Sequence, residues 1–258
     1  MSVIDYHVKG HIAYITLNRP ASLNCFNYEL LEELGQWVEK IHLDDSVRVV
    51  IFTGAGEKAF SAGADLKERK TLTEQEVRRN VKKIADVFHA VYHLPQPTIA
   101  AVNGYAFGGG FELMLACDFR IAVEEAKMGL TELSWAIIPG AGGTQRLPRL
   151  IGEARAKELI LTASKFSAEE GYMYGLLHKV VESKELIPAC EDLAGKILRQ
   201  GPIAVQQAKY AINQGMGVDL QTGLAIEAQA YERTIPTKDR VEALTAFSEK
   251  RDPDFQGK

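Results

Sequence analysis

The sequence predicts an α/β core that gives way to an all-helical C-terminal part. Short apolar, β-branched runs recur through the first half of the chain, as buried strands do. Longer stretches with apolar residues at helical spacing separate them. After about Leu150 the pattern becomes almost wholly helical. These features place an α/β core in residues 1–195 and a helical region in residues 196–258.

The chain opens as a hairpin: Val3 to Val8, a Lys9-Gly10 turn, then His11 to Leu17. Asn18, Arg19 and Pro20 end it, because proline has no N–H to donate to a ladder. Tyr28 to Ile41 carries Leu30, Leu31, Leu34, Trp37, Val38 and Ile41 along one helix face. Val47 to Thr53 reads as a buried strand ending at Gly54. Thr73 with Glu76 forms a capping box that opens a helix to about Leu94. Thr98 to Val102 is a further strand, a helix starts at Gly108, and Phe119 to Ala122 returns as a strand. Later, Ser167 with Glu170 forms a second capping box, and Pro202 starts a helix that stops near Gly215. Asp219 to Arg233 and Thr237 to Arg251 complete the helical part.

At 258 residues the chain has ample material for a core. Its 46% hydrophobic and 25% charged content is that of a globular protein. No apolar run reaches the ~18 residues of a membrane helix, and MSVIDYHVKG lacks a signal-peptide layout, so a cytoplasmic location is expected. Cys25, Cys117 and Cys190 are scattered and fit neither a disulfide framework nor a zinc motif. His89 and His93 share a helix face without a third ligand, so no metal is expected. A net charge of −4 argues against a nucleic-acid partner.

Three segments carry candidate chemistry. In Phe60 to Lys67, small residues let a ligand approach the backbone, and Ala64 offers an unobstructed N–H; a tight loop entering a helix is the other reading. In Asn103 to Glu112, three glycines after a buried strand open a helix. Its N-terminal N–H groups suit a negatively charged oxygen, with Glu112 on the same first turn. Close packing of helix on sheet explains the glycines equally well. The third segment holds Glu132 in an apolar stretch, followed by IIPGAGGTQR from Ile137 to Arg146. An acid there is either paired, used, or a solvated helix start. The glycine-rich run lacks the Lys-Ser/Thr of a phosphate loop. No G-x-G-x-x-G follows a strand and no G-x-S-x-G elbow occurs, which excludes nucleotide hydrolysis, dinucleotide binding and serine-hydrolase chemistry of that kind.

Together, IAAVNGYAFGGGFE (Ile99 to Glu112, continuing to Cys117 and Asp118), AGAD (Ala62 to Asp65) and IPGAGGTQ (Ile138 to Gln145) resemble the enoyl-CoA hydratase/isomerase (crotonase) superfamily. The resemblance covers essentially the whole chain. It implies a spiral of ββα units with a helical C-terminal trimerisation region, assembled as a homotrimer or as a homohexamer of paired trimers. It implies an acyl-CoA substrate, with coenzyme A as part of that substrate, and no separate cofactor. The thioester oxygen would accept from the N–H groups of Ala64 and Gly109. Ala62, Ala64, Asp65, Leu66 and Lys67 would cradle the coenzyme's adenine end. Phe247 and Lys250, in AFSEKR, match a segment that often reaches a neighbouring subunit's coenzyme.

For such a site the implied reaction is hydration of an α,β-unsaturated short-chain thioester, as in β-oxidation. Two fixed N–H donors stabilise the enolate oxygen. Glu112 would orient and deprotonate water, and Glu132 would deliver the α-proton. Members that only shift a double bond commonly keep one of the two acids, so the presence of both favours a hydratase over an isomerase.

ADLKER (Ala64 to Arg69), AKMGL (Ala126 to Leu130), AINQGM (Ala211 to Met216) and TIPTKDR (Thr234 to Arg240) are similar to the methylglutaconyl-CoA hydratases of leucine degradation, whose animal member also binds AU-rich RNA. That RNA activity relies on a lysine-rich first helix. The matching helix here, ELLEELGQWVEK from Glu29 to Lys40, is acidic and would repel phosphates, so no nucleic-acid partner is expected. Trp135 is a candidate wall of the acyl pocket.

Overall fold

The computed structural model describes residues 2–258. The chain divides into two compact units. One comprises the residues up to Leu94 together with Thr98–Glu191; the other comprises Pro95–Pro97 and Asp192–Lys258.

The first unit begins with the expected hairpin, β1 (Ile4–Lys9) and β2 (Ile12–Leu17), antiparallel and closed by Lys9 opposite Ile12. Helix α1 (Tyr28–His42) follows, with the Asn27 side chain accepting from the Leu30 N–H at its start. Its Leu30, Leu31, Leu34, Val38 and Ile41 are buried, as their spacing predicts. The chain then repeats one pattern. Strand β3 (Val49–Gly54) joins the first sheet, β4 (Ala59–Ser61) starts a second, and helices α2 (Leu66–Arg69) and α3 (Glu74–Tyr92) return the chain. Strand β5 (Thr98–Val102) joins the first sheet, β6 (Tyr105–Phe107) the second, and α4 (Gly109–Ala116) follows. Strands β7 (Phe119–Val123) and β8 (Lys127–Gly129) repeat the division, followed by a short 3-10 turn at Glu132–Trp135 and helices α5 (Gly143–Ile151) and α6 (Glu153–Leu161). This two-strands-then-helix repeat generates the spiral.

Strand β9 (Phe166–Ser167), α7 (Ala168–Met173) and β10 (Lys179–Val181) complete the sheets. The larger sheet has the order β1-β2-β3-β5-β7-β10 and the smaller β4-β6-β8-β9. Apart from the β1-β2 and β8-β9 pairs, every pairing is parallel. Central strands β3 and β5 are buried almost throughout, so they read as continuous apolar runs without alternation.

Both capping boxes form: Thr73 with Glu76, and Ser167 with Glu170. The structure departs from the sequence reading at the short strands. Within the almost wholly helical stretch after Leu150, Phe166–Ser167 and Lys179–Val181 form short strands that the sequence did not announce. The pieces of the smaller sheet span only two or three residues each, too few to show a period of two.

Helix α8 (Leu186–Leu198) leads into the second unit, which holds α9 (Pro202–Gly215), α10 (Leu220–Glu232) and α11 (Lys238–Glu249). Asp219 and Thr237 cap the last two with their side chains. Among the described residues, no helix is long and apolar enough to cross a membrane.

Candidate active site

The smaller sheet explains how three distant segments meet. Strands β4, β6 and β8 are neighbours and run parallel, so their C-terminal ends lie along one edge. Ala62 to Asp65 leaves β4 at that edge, Gly108 and Gly109 leave β6, and Leu130 to Glu132 leaves β8. The Gly108 N–H donates to the Gly129 carbonyl at 3.0 Å, which ties the second and third segments together.

The first two segments present their N–H groups side by side. A methyl group built on Gly109 would lie 3.8 Å from the Ala64 nitrogen, and one built on Gly63 would lie 3.2 Å from the Gly109 nitrogen. Gly109 opens α4, so its N–H has no acceptor within the helix. No carbonyl among the described residues takes the Ala64 N–H. The Ala64 backbone is held by a bridge to Phe26, whose N–H donates to the Gly63 carbonyl while its own carbonyl accepts from Asp65. All eight residues of α4 are buried, which fixes the helix end that carries the Gly109 donor.

Glu112 lies on the first turn of α4 and is only 3% exposed. Its Oε1 accepts two backbone N–H groups, from Ala141 and Gly143, each at 2.8 Å. Burial pushes this carboxyl up from its ordinary range, while the two N–H donors and the nearby Arg146 guanidinium oppose the rise. Arg146 donates to the Ala141 carbonyl at 2.7 Å and lies over the Tyr92 ring, so it braces the segment that grips Glu112.

Glu132 begins the 3-10 turn after β8, and its carboxylate stands over Gly108. At Gly108 φ is +50°, which favours glycine, and a methyl group there would come 3.3 Å from Glu132 Oε1, so the carboxylate would have to give by a few tenths of an ångström. Glu132 Oε2 is buried and has no hydrogen-bond partner among the described residues. Burial first, and then the charge of Glu112, push the Glu132 carboxyl up to about 7. The two acids therefore differ in kind. One is gripped by fixed donors that favour its charged form, and the other is poised to hold or release a proton near neutrality.

The remaining expected residues are placed as follows. Asp65 caps α2, accepting from the N–H groups of Lys67 and Glu68, and pairs with Arg19 at 2.9 Å. Leu66 and Lys67 are exposed and Ala62 is half-buried. Phe247 is 85% exposed, and Lys250 ends α11 in a left-handed conformation; both belong to the second unit. Trp135, at the end of the 3-10 turn, is 62% exposed. The sequence reading singled out IPGAGGTQ without foreseeing that its backbone grips Glu112, because an N–H donor leaves no mark in residue identity. It also passed over Arg146 and Arg69, whose charges bear on Glu112 and Glu132 respectively.

Residues 7–258 match the family model described as enoyl-CoA hydratase/isomerase. The chain is similar to the human mitochondrial methylglutaconyl-CoA hydratase, at 48% identity over 95% of this chain and 74% of that protein. It is similar to the short-chain-enoyl-CoA hydratase of Clostridium acetobutylicum, at 45% identity over 94% of this chain and 93% of that one. A crystal structure of an enoyl-CoA hydratase from Bacillus anthracis superposes with a TM-score of 0.97 at 54% identity, covering 99% of this chain and 100% of that chain.

Proposed function

The chain belongs to the enoyl-CoA hydratase/isomerase family, and within that family we propose that it adds water across the α,β double bond of a short-chain acyl-CoA thioester. The observation that carries this reading is the meeting of two unpaired N–H groups and two electrically coupled carboxylates at one edge of the smaller sheet.

The chemistry follows from that geometry. The N–H groups of Ala64 and Gly109 donate to the thioester oxygen and stabilise the enolate that forms on it. Losing one such donor typically costs ~3–4 kcal/mol of transition-state stabilisation. Glu112, gripped by the N–H groups of Ala141 and Gly143, takes the proton from water as its oxygen bonds to the β-carbon. Glu132, whose carboxyl is pushed up to about 7, delivers a proton to the α-carbon, and the proton taken up by Glu112 then passes back to Glu132, so that one water is added in all. The backbone of Ala62 to Lys67 takes the adenine end of coenzyme A, and Phe247 and Lys250 reach the coenzyme of a neighbouring copy.

The assembly is a homotrimer or a homohexamer of paired trimers. The strongly exposed Met216, Leu220 and Phe247 of the second unit support it, because apolar surface of that extent suits an interface. A second acyl group, methylglutaconyl, is favoured by the relative that carries it in its name.

The test is the loss of enoyl-thioester absorbance when purified protein meets crotonyl-CoA. Wild type hydrates it, while Glu112→Gln and Glu132→Gln each lose about 10²–10⁴-fold in kcat with acyl-CoA binding retained. Near-full turnover in either variant would remove that residue from the mechanism.

A further inference from the structure

We propose that Arg146 is a positioning residue for hydration: its guanidinium fastens the turn whose N–H groups aim Glu112 and supplies a positive charge beside that carboxylate. This rests on the reading of Glu112 as the base toward water and adds what keeps that base in place.

Arg146 is the fourth residue of α5, near the helix end where the macrodipole disfavours a cation. It is also half-buried, so its charge is partly desolvated. A cation set against both effects needs an anion close by, and Glu112 is that anion. Glu112 Oε1 accepts from the Gly143 N–H at the start of the same helix. Burial weakens the hold of Arg146 on its proton, and Glu112 leads the charges that oppose this, ahead of Tyr92 and Cys117.

The guanidinium is fitted to the turn as well. Its Nη1 donates to the Ala141 carbonyl at 2.7 Å, and the Arg146 main-chain N–H donates to the Gly142 carbonyl at 2.8 Å. A methyl group on Gly142 would fall 2.2 Å from Nη1 and 2.9 Å from Cζ, so the guanidinium rests against bare backbone. The N–H groups on either side of Gly142, those of Ala141 and Gly143, both end on Glu112 Oε1. The Tyr92 ring of α3 lies with its centre 5.1 Å from the guanidinium carbon. The remaining charges act on the partner acid: Glu132 feels Glu112 and Arg69.

Removing the guanidinium therefore has two consequences. The turn is no longer fastened, which aims Glu112 less well at every pH. The burial of Glu112 is also opposed less, so its protonated form persists to higher pH and the base is lost first on the acid side. A role confined to folding would lower activity equally at every pH.

The experiment follows crotonyl-CoA hydration at pH 6 and pH 8 in wild type, Arg146→Met, Arg146→Gln and Arg146→Lys. Calorimetry with butyryl-CoA, which cannot be hydrated, reports whether each variant keeps its fold and its thioester site. In Arg146→Met, kcat should fall about 10-fold at pH 8 and about 100-fold at pH 6, with butyryl-CoA binding retained. Arg146→Gln, also uncharged, should show the same dependence and carries the test where the methionine variant folds poorly. Arg146→Lys keeps the charge without the planar fork, so its loss should be the same at both pH values. Equal losses at the two pH values in both uncharged variants, or losses below about twofold, overturn the assignment. An infrared titration of the carboxyl that disappears in Glu112→Gln gives a readout independent of turnover. Its midpoint should rise in Arg146→Met and stay near that of wild type in Arg146→Lys. A raised midpoint in a protein that hydrates nothing keeps the Arg146 role and removes the hydratase. Hydration with an unmoved midpoint does the reverse.

Discussion

Gly110 and Gly195 both lie within helices, yet their surroundings differ completely. A methyl group on Gly110, in α4, would fall on the Ser61 carbonyl and beside the Ser61 side chain. One on Gly195, in α8, would meet nothing within 4 Å. The apolar surface divides the same way. The first unit closes over Phe52, Phe60, Phe88 and Phe111, while the second leaves Met216, Leu220 and Phe247 about four-fifths exposed. Site geometry is thus set where backbone packs on backbone with no spare room. The C-terminal helices keep room and apolar surface to spare.

That contrast sets the order of the expected effects. Gly110→Ala should push α4 off β4 and cost about 3 kcal/mol of stability, at the upper end for overpacking, with hydration lost because the Gly109 donor moves. Chemical denaturation of the variant checks this; a loss below 1 kcal/mol would show that the close approach of α4 to Ser61 does not hold the site.

Glu132→Gln should have the opposite sign. The folded chain holds the Glu132 proton to about 7, against an ordinary 4.5 when unfolded. A proton held more tightly by the folded state gives stability that is full below pH 4.5 and lost as pH rises through 7. Glutamine is free of that loss. With allowance for screening by the water that reaches the group, the variant should be about 1–2 kcal/mol more stable than wild type at pH 8 and equal to it near pH 4. Thermal melts at the two pH values decide it, and equal stability at pH 8 would mean that Glu132 is not raised.

The smallest effect belongs to the second unit. Gly195→Ala should stabilise the chain by about 0.5–1 kcal/mol through helix propensity alone, with hydration untouched. Destabilisation measured by the same denaturation would mean that space beside α8 is occupied in the assembled protein.

The sequence made some of this legible and hid the rest for physical reasons. Val49 to Thr53 and Thr98 to Val102 announced themselves as strands because both their faces are buried. Thr73 with Glu76 announced its helix because capping chemistry names its residues. Strands β4, β6 and β8 were silent, being three residues each, although they bring the site together. Glu132 stood out as an acid in an apolar stretch, and Glu112 by its place on the first turn after three glycines. The grip of Ala141 and Gly143 on Glu112 did not, because any residue but proline supplies an N–H. Arg69 was silent for another reason: its influence on Glu132 comes from folding across 63 positions (132 − 69) and has no local signature.

The most direct test of the coupled pair is an infrared or carbon-13 titration of the side-chain carboxyls in wild type, Glu132→Gln and Glu112→Gln. A carboxyl should titrate near 7 in wild type, vanish in Glu132→Gln, and shift to lower pH in Glu112→Gln as the neighbouring charge is removed. A wild-type protein with no carboxyl titrating above pH 5.5, or a midpoint unmoved in Glu112→Gln, would contradict the division of labour between the two glutamates.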